Sequence, residues 1–211
     1  MRFAIFLVCL AAAARAETSL DFGRAVDAIA YSPDGKYLAA RGGGAAAEGQ
    51  IRIWDAKALR VQANITLSSG GIGGLSFSPN GRFLAGANGG IPQIWAAFDG
   101  APARGFPGEF PPAEAVAFSV DGRFLASLHG RKAVLWDVAW EKPVRVLAEW
   151  PQGAKMSALA FRPDGKLLVV AGERGEDGHI EQFDPADGKP IRIVSRKGMR
   201  LLCAAFSPDD L

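Results

Sequence analysis

The chain has 211 residues, with 24 Lys and Arg against 22 Asp and Glu and only two histidines. A charge this close to balance offers no basic stripe for phosphate neutralisation, so no nucleic acid is expected as a partner. Two cysteines, Cys9 and Cys203, are too few for a disulfide framework.

The first segment reads as a leader rather than as structure. Met1-Arg2 gives a positive start, Phe3 to Ala14 is mostly apolar, and Ala14-Arg15-Ala16 supplies a small-residue cleavage site before Glu17. The apolar run falls short of the roughly 20 residues that span a bilayer. The expectation is a signal peptide over residues 1–16 with the cut after Ala16, a periplasmic or secreted product, and no stable membrane insertion after cleavage. Cleavage removes Arg2 and Arg15 and no acid, leaving 22 charges of each sign. It also removes Cys9, and Cys203 is expected to be a buried thiol used as a small apolar group. Residues 17–24 form a lead-in.

From residue 25 onward one phrase recurs. Tyr31-Ser32-Pro33-Asp34-Gly35, Phe77-Ser78-Pro79-Asn80-Gly81, Phe118-Ser119-Val120-Asp121-Gly122, Phe161-Arg162-Pro163-Asp164-Gly165 and Phe206-Ser207-Pro208-Asp209-Asp210 follow at intervals of 41–46 residues. A period near 40–45 marks repeated units, each needing its neighbours to bury its faces. The strand before each anchor alternates bulk with small residues, as in Ile29/Tyr31 against Ala28/Ala30 and Val116/Phe118 against Ala115/Ala117. Pro then fixes φ, Asp or Asn bonds to nearby backbone, and Gly accepts positive φ. A second strand follows, such as Arg82-Phe83-Leu84-Ala85. A third carries Ile51-Arg52-Ile53-Trp54-Asp55, Ile94-Trp95-Ala96, Val134-Leu135-Trp136-Asp137 or Gln182-Phe183-Asp184, and an outer fourth is typified by Val144-Arg145-Val146-Leu147. No segment has a helical apolar period.

On these phrases the chain resembles the WD-repeat β-propeller family, whose blades carry a Ser-Pro-Asp-Gly turn and a closing Trp-Asp. The resemblance covers residues 25–211. It implies an all-β propeller of four-stranded antiparallel blades: full blades at about 25–68, 71–110, 113–150 and 155–196, plus the first strand of a fifth over 199–211. Closed propellers hold roughly 4 to 8 blades, so the chain reads as the front part of a larger propeller, with a small four-bladed ring as the alternative. Many family members stiffen each blade with hydrogen-bonded Asp, His, Ser/Thr and Trp. Here the Asp slot holds Glu48, Gly89, Gly130 and Asp177, and the usual Gly-His dipeptide is missing, so the blades are expected to rely mainly on packing.

The sequence is poor in catalytic signals. His129 and His179 fall at comparable turns and are read as polar surface residues, with no nucleophile-elbow phrase nearby. The glycine clusters Gly42-Gly43-Gly44 and Gly70-Gly71-Ile72-Gly73-Gly74 lack the helix start that a phosphate loop needs. Glu173 to Gly178 lacks the oxygen spacing of a calcium loop. No cofactor, metal or catalytic residue is expected.

In the resembled family, the loops joining strands two and three and the links between blades line one face. That placement makes Arg41, Glu48, Asn88, His129, Arg131, Trp150, Glu173, Arg174 and His179 the candidate partner-binding residues, in a mixture suited to a protein or peptide. The expected function is an exported, non-enzymatic scaffold for protein–protein contact, part of a larger protein, with self-association to complete the ring as a further partner class. The alternative is a propeller-based periplasmic enzyme or small-ligand binder with its site in the channel or in further blades. A degenerate remnant without function is a third reading.

Overall fold

The structure, a computed structural model, describes residues 20, 22, 25–43, 49–68, 73–88 and 90–206. The leader, Glu48 and residues 207–211 lie outside the described residues. Sixteen strands fall into four antiparallel sheets, each formed by four consecutive strands, with no helix among the described residues. The first sheet holds β1 (Val26–Tyr31), β2 (Tyr37–Gly42), β3 (Gln50–Asp55) and β4 (Arg60–Thr66). The second holds β5 (Ser76–Phe77), β6 (Phe83–Asn88), β7 (Ile91–Ala96) and β8 (Pro102–Gly105). The third holds β9 (Ala115–Phe118), β10 (Phe124–His129), β11 (Lys132–Asp137) and β12 (Lys142–Glu149). The fourth holds β13 (Ala154–Phe161), β14 (Leu168–Arg174), β15 (Asp177–Phe183) and β16 (Pro190–Arg196). The innermost strands β1, β5, β9 and β13 neighbour one another in that order.

The repeated turn explains itself once its hydrogen bonds are traced. Ser32 Oγ donates to Asp34 Oδ1 at 2.6 Å and accepts the Tyr37 amide at 2.8 Å, while Asp34 also accepts the Lys36 amide at 3.0 Å. The Ser32 hydroxyl and then the Lys36 amide hold the Asp34 carboxyl below its usual range. Ser78 with Asn80 and Ser119 with Asp121 repeat the pattern. Asn80 shows that an uncharged acceptor serves equally. The fourth turn has no Ser; there the Arg162 guanidinium forks onto both oxygens of Asp164 at 2.8 and 2.6 Å. Gly35, Gly81, Gly122 and Gly165 all take φ between 66° and 73°, which is why each turn ends in Gly. The Asp of the Trp-Asp phrase acts in a similar way, since Asp55 and Asp137 each accept two amides of the following turn.

Register divides every sheet into two unequal faces. Tyr31, Leu38 and Trp54 are cross-strand partners, as are Phe77, Leu84 and Trp95, then Phe118, Leu125 and Trp136, then Phe161, Leu168 and Phe183. The opposite faces carry small or slim rows, for example Ala30, Ala39 and Ile53. The bulky face of each sheet packs on the slim face of the sheet before it: Phe77, Leu84 and Trp95 join Ala39, Ile53 and Ala63 in one core. Phe118, Leu125 and Trp136 likewise join Ala85 and Ile94. Leu168, Val170 and Phe183 join Ala126 and Leu135. Slim residues on the inner strands allow near-backbone contact, and the Phe118 amide donates to Ser76 Oγ of the preceding sheet at 3.1 Å.

The two outer faces of the stack differ from the inner ones. No described sheet precedes the first, and Ile29 and Tyr31 are 48% and 47% exposed, against 7% for the equivalent Phe77. Trp54 is nevertheless buried, because Phe22 of the lead-in lies over it with ring centroids 6.1 Å apart. At the other end Leu201, Ala204 and Phe206 pack against Ala158, Val169 and Ala171 of the fourth sheet. These residues occupy the place of a fifth inner strand but pair in no ladder, since no described second strand accompanies them. Cys203 corrects an expectation here: it is exposed, because its side chain lies on the side of this segment that no described sheet covers.

The same motif position is thus buried in the third sheet and half-open in the first. Phe118→Ala is expected to cost about 3–5 kcal/mol and Tyr31→Ala about 1 kcal/mol or less, read from urea unfolding midpoints. Equal losses would contradict the assignment of faces.

Candidate interaction face

Strand two of each sheet ends on one rim, and what stands there is set by a plug that arrives from the preceding link. Four residues beyond the buried leucine of strand two come Gly42, Asn88, His129 and Gly172. A Cβ on Gly42 would lie 2.5 Å from Phe22, and one on Gly172 would lie 2.1 Å from the Lys155 carbonyl and 2.9 Å from Trp150. Those two positions are glycine because neighbouring backbone, the Ala25 and Lys155 carbonyls, and an aromatic plug together fill the space. At Asn88 the plug is polar: Asn88 Oδ1 accepts the Ser68 amide and hydroxyl at 2.7 and 2.8 Å.

His129 meets Phe110 with centroids 5.2 Å apart and anchors a hydrogen-bonded chain. Trp136 Nε1 donates to Ser127 Oγ at 2.6 Å, Ser127 lies 2.7 Å from His129 Nε2, and His129 Nδ1 lies 2.6 Å from the Pro111 carbonyl. A carbonyl only accepts, so Nδ1 carries the hydrogen and Nε2 accepts from the serine hydroxyl. Every polar group in this relay is satisfied with neutral imidazole. Burial holds His129 below the usual imidazole range, with the Pro111 contact pulling the other way. Ser127 and His129 are 0% and 1% exposed, and the serine oxygen is engaged by an indole. The pair is a brace rather than a nucleophile and its base. The sequence suggested blades that rely mainly on packing; the third sheet also holds its Trp by a Ser–His–carbonyl relay.

Burial overturns the expectation of surface side chains at several candidate positions. Arg41, His129, Trp150 and His179 are 1%, 1%, 1% and 5% exposed. Arg41 lies between the first two sheets, paired with Asp27 at 3.2 Å, and burial raises the Asp27 pKa against the pull of Arg41. Glu48 lies outside the described residues. Asn88, Arg131, Glu173 and Arg174 are half-buried, and Glu173 accepts from Arg200 at 3.0 Å.

Four of the candidates do meet, where the third and fourth sheets adjoin. Arg131 Nη1 donates to the Trp150 carbonyl. The Trp150 ring stands edge-on to His179 at 5.1 Å and beneath the Arg174 guanidinium at 5.0 Å. Arg174 Nη2 donates to Glu181 Oε1 at 2.5 Å, and His179 bridges Glu181 at 3.1 Å and Ser195 at 2.8 Å. Two buried donors in this group, Trp150 Nε1 and Arg174 Nε, have no acceptor among the described residues. Glu181 and Ser195 escaped the sequence reading. Glu181 had a signal: it stands two residues before Phe183, where the third sheet has buried Val134.

Comparison with known proteins fits this geometry. The family described as WD domain, G-beta repeat matches residues 19–55 and 141–184. The chain carries WD-repeat segments on a β-propeller fold. Among solved structures it is similar to the Myceliophteria thermophila Cps50 (Swd1) β-propeller domain, with TM-score 0.70 and 19% identity over 87% of this chain and 59% of that one. It is also similar to Kuenenia stuttgartiensis hydrazine synthase, with TM-score 0.68 and 18% identity over 82% of this chain and 49% of that one. The WD-repeat chain thus spans between half and three-fifths of the structures it matches, and at such identities the likeness is one of fold. No curated protein matches the chain at significant similarity.

His129 gives the third blade a pH-dependent brace. A depressed folded pKa means the stabilisation is complete above about pH 6.5, the ordinary value, and is lost as pH falls below it. The urea midpoint is expected to drop between pH 7.5 and pH 5, and His129→Gln to flatten that drop while costing about 1–3 kcal/mol at pH 7.5. An unchanged slope in the variant would contradict the neutral-imidazole assignment.

Proposed function

We propose that this chain is an exported, non-enzymatic WD-repeat module that binds a protein or peptide partner at the rim between its third and fourth blades. The observation that carries the reading is the seating of Arg131 and Arg174 on a buried bed. The Trp150 carbonyl holds the Arg131 guanidinium, and the Trp150 ring with the Glu181 carboxylate holds that of Arg174, so little side-chain entropy is left to lose on binding. The two guanidinium groups make the rim rich in donors and suited to a main-chain carbonyl or a carboxylate of the partner. Arg and Trp are also the residue types that most often anchor protein partners. Export is supported by the residue 1–16 leader, which would leave a mature chain beginning at Glu17.

The test is recovery of a partner from an extracytoplasmic extract on the tagged chain, beside the Arg131→Ala/Arg174→Ala double variant. Trp150→Ala is unsuited to this purpose, since removing a buried indole would unseat Arg174 and weaken the fold. The double variant should stay folded at the assay temperature and lose roughly tenfold or more in recovery of a specific partner. Undiminished recovery would overturn the assignment of the rim.

A further inference from the structure

The bulky face of the first sheet is covered over β2 and β3 but not over its inner strand. Phe22 lies on Trp54, and Leu38 and Trp54 are both buried. Ile29 and Tyr31 of β1 lack such a cover and stand half in water. In the second repeat the same two positions are Leu75 and Phe77, which pack with the slim Ala30 and Ala39 of the first sheet. In the third they are Val116 and Phe118, both buried against Ala85 and Ile94. What the first sheet lacks is therefore a slim row laid over one strand.

The far end of the stack carries such a row. Leu201, Ala204 and Phe206 pack against the fourth sheet, and Ser157 Oγ donates to the Leu201 carbonyl. Leu202, Cys203 and Ala205 alternate with them and are exposed, Leu202 at 73%. Counted back from the motif aromatic, Cys203 and Ala205 stand where Gly74 and Ser76 stand in the second repeat. There the slim row receives the third sheet. A Cβ on Gly74 would lie 3.6 Å from the Val116 amide nitrogen, and Ser76 Oγ accepts the Phe118 amide at 3.1 Å. Val116 and Phe118 are the counterparts of Ile29 and Tyr31, so the two ends offer the same two surfaces that meet inside the stack.

One molecule does not join its own two ends, since Ile29 and Tyr31 stay open in it. We infer that two copies of this chain associate head to tail, with Cys203 and Ala205 of each lying on Ile29 and Tyr31 of the other. The three interior seams identify the occupant, because each sets a slim row against a bulky one from the same repeat. A contact between unlike surfaces gives a ring when its rotation closes and a filament when it does not. Four sheets from each copy make eight, within the roughly 4 to 8 blades at which propellers close. Two copies therefore form a ring with two identical contacts. The contact uses neither Arg131 nor Arg174 and stands independently of the rim between blades three and four.

Sedimentation velocity of the purified chain over a rising concentration series should show the mass move from one chain to two and stop there. Tyr31→Asp blocks one surface and Ala205→Arg the other, both at exposed positions. Each variant alone should weaken self-association roughly tenfold or more, the scale of an unpaired charge placed in an apolar contact. Both should unfold near the parent's urea midpoint at the lowest concentration, where chains are single. A mixture of the two keeps one intact contact and should form mixed dimers. Cys203 supplies a second readout. In a Cys9→Ser background, Ile29→Cys with oxidised glutathione should give a covalent dimer, and adding Cys203→Ser should prevent it. A chain that stays single at every concentration, undiminished association of Tyr31→Asp, species growing beyond two chains, or a covalent dimer that survives Cys203→Ser would each overturn the proposal.

Discussion

A four-stranded sheet has two faces, and in this chain the sequence makes them unequal. One face carries the anchor aromatic, the leucine of strand two and the Trp of strand three; the other carries alanine, serine and slim aliphatics. The bulky face is too large to leave in water and too flat to fold on itself, so it needs the slim face of another sheet. Burial of such rows at ~25 cal/mol per Å² is the main favourable term available. Every other feature, from the turn chemistry to the rim, depends on that stacking. It also explains why the lead-in matters: Phe22 covers Trp54, the one bulky-face Trp that no described sheet covers.

The candidate binding rim arises at a seam between sheets. At the rim a link residue, Trp150, is pressed into the space left by Gly172, and its ring becomes the floor on which Arg174 rests. At the opposite edge the place of Gly100 and Gly188 is taken in the third blade by Glu141, whose carboxylate accepts from Arg104 of the second. The repeat supplies the frame, and a change of one side chain at a repeated position gives one seam a character its neighbours lack. Fold-level likeness to other propellers therefore says little about what this one binds.

Much of the frame was legible in the sequence. The Ser-Pro-Asp-Gly turns needed only local chemistry, because Ser32, Asp34 and the Tyr37 amide are within five residues of one another. The alternation of bulk and small residues announced the two faces. What was hidden depends on residues far apart in the chain. His129 looked like a turn residue because its partners, Pro111 and Phe110, arrive from the preceding link. Trp150 and Arg41 looked exposed because loops and links usually are, whereas here one is a plug and the other is held between two sheets. Cys203 followed the small-residue pattern yet faces outward, since pattern alone does not say whether a neighbour is present.

If each sheet is held chiefly by its neighbours, protection should be graded along the stack. Native-state amide hydrogen exchange, resolved by peptide, measures this directly. The slowest exchange is expected in β6, β7, β10 and β11, with faster opening toward β1 and β16. Uniform protection, or slowest exchange in the first sheet, would contradict stacking as the source of stability.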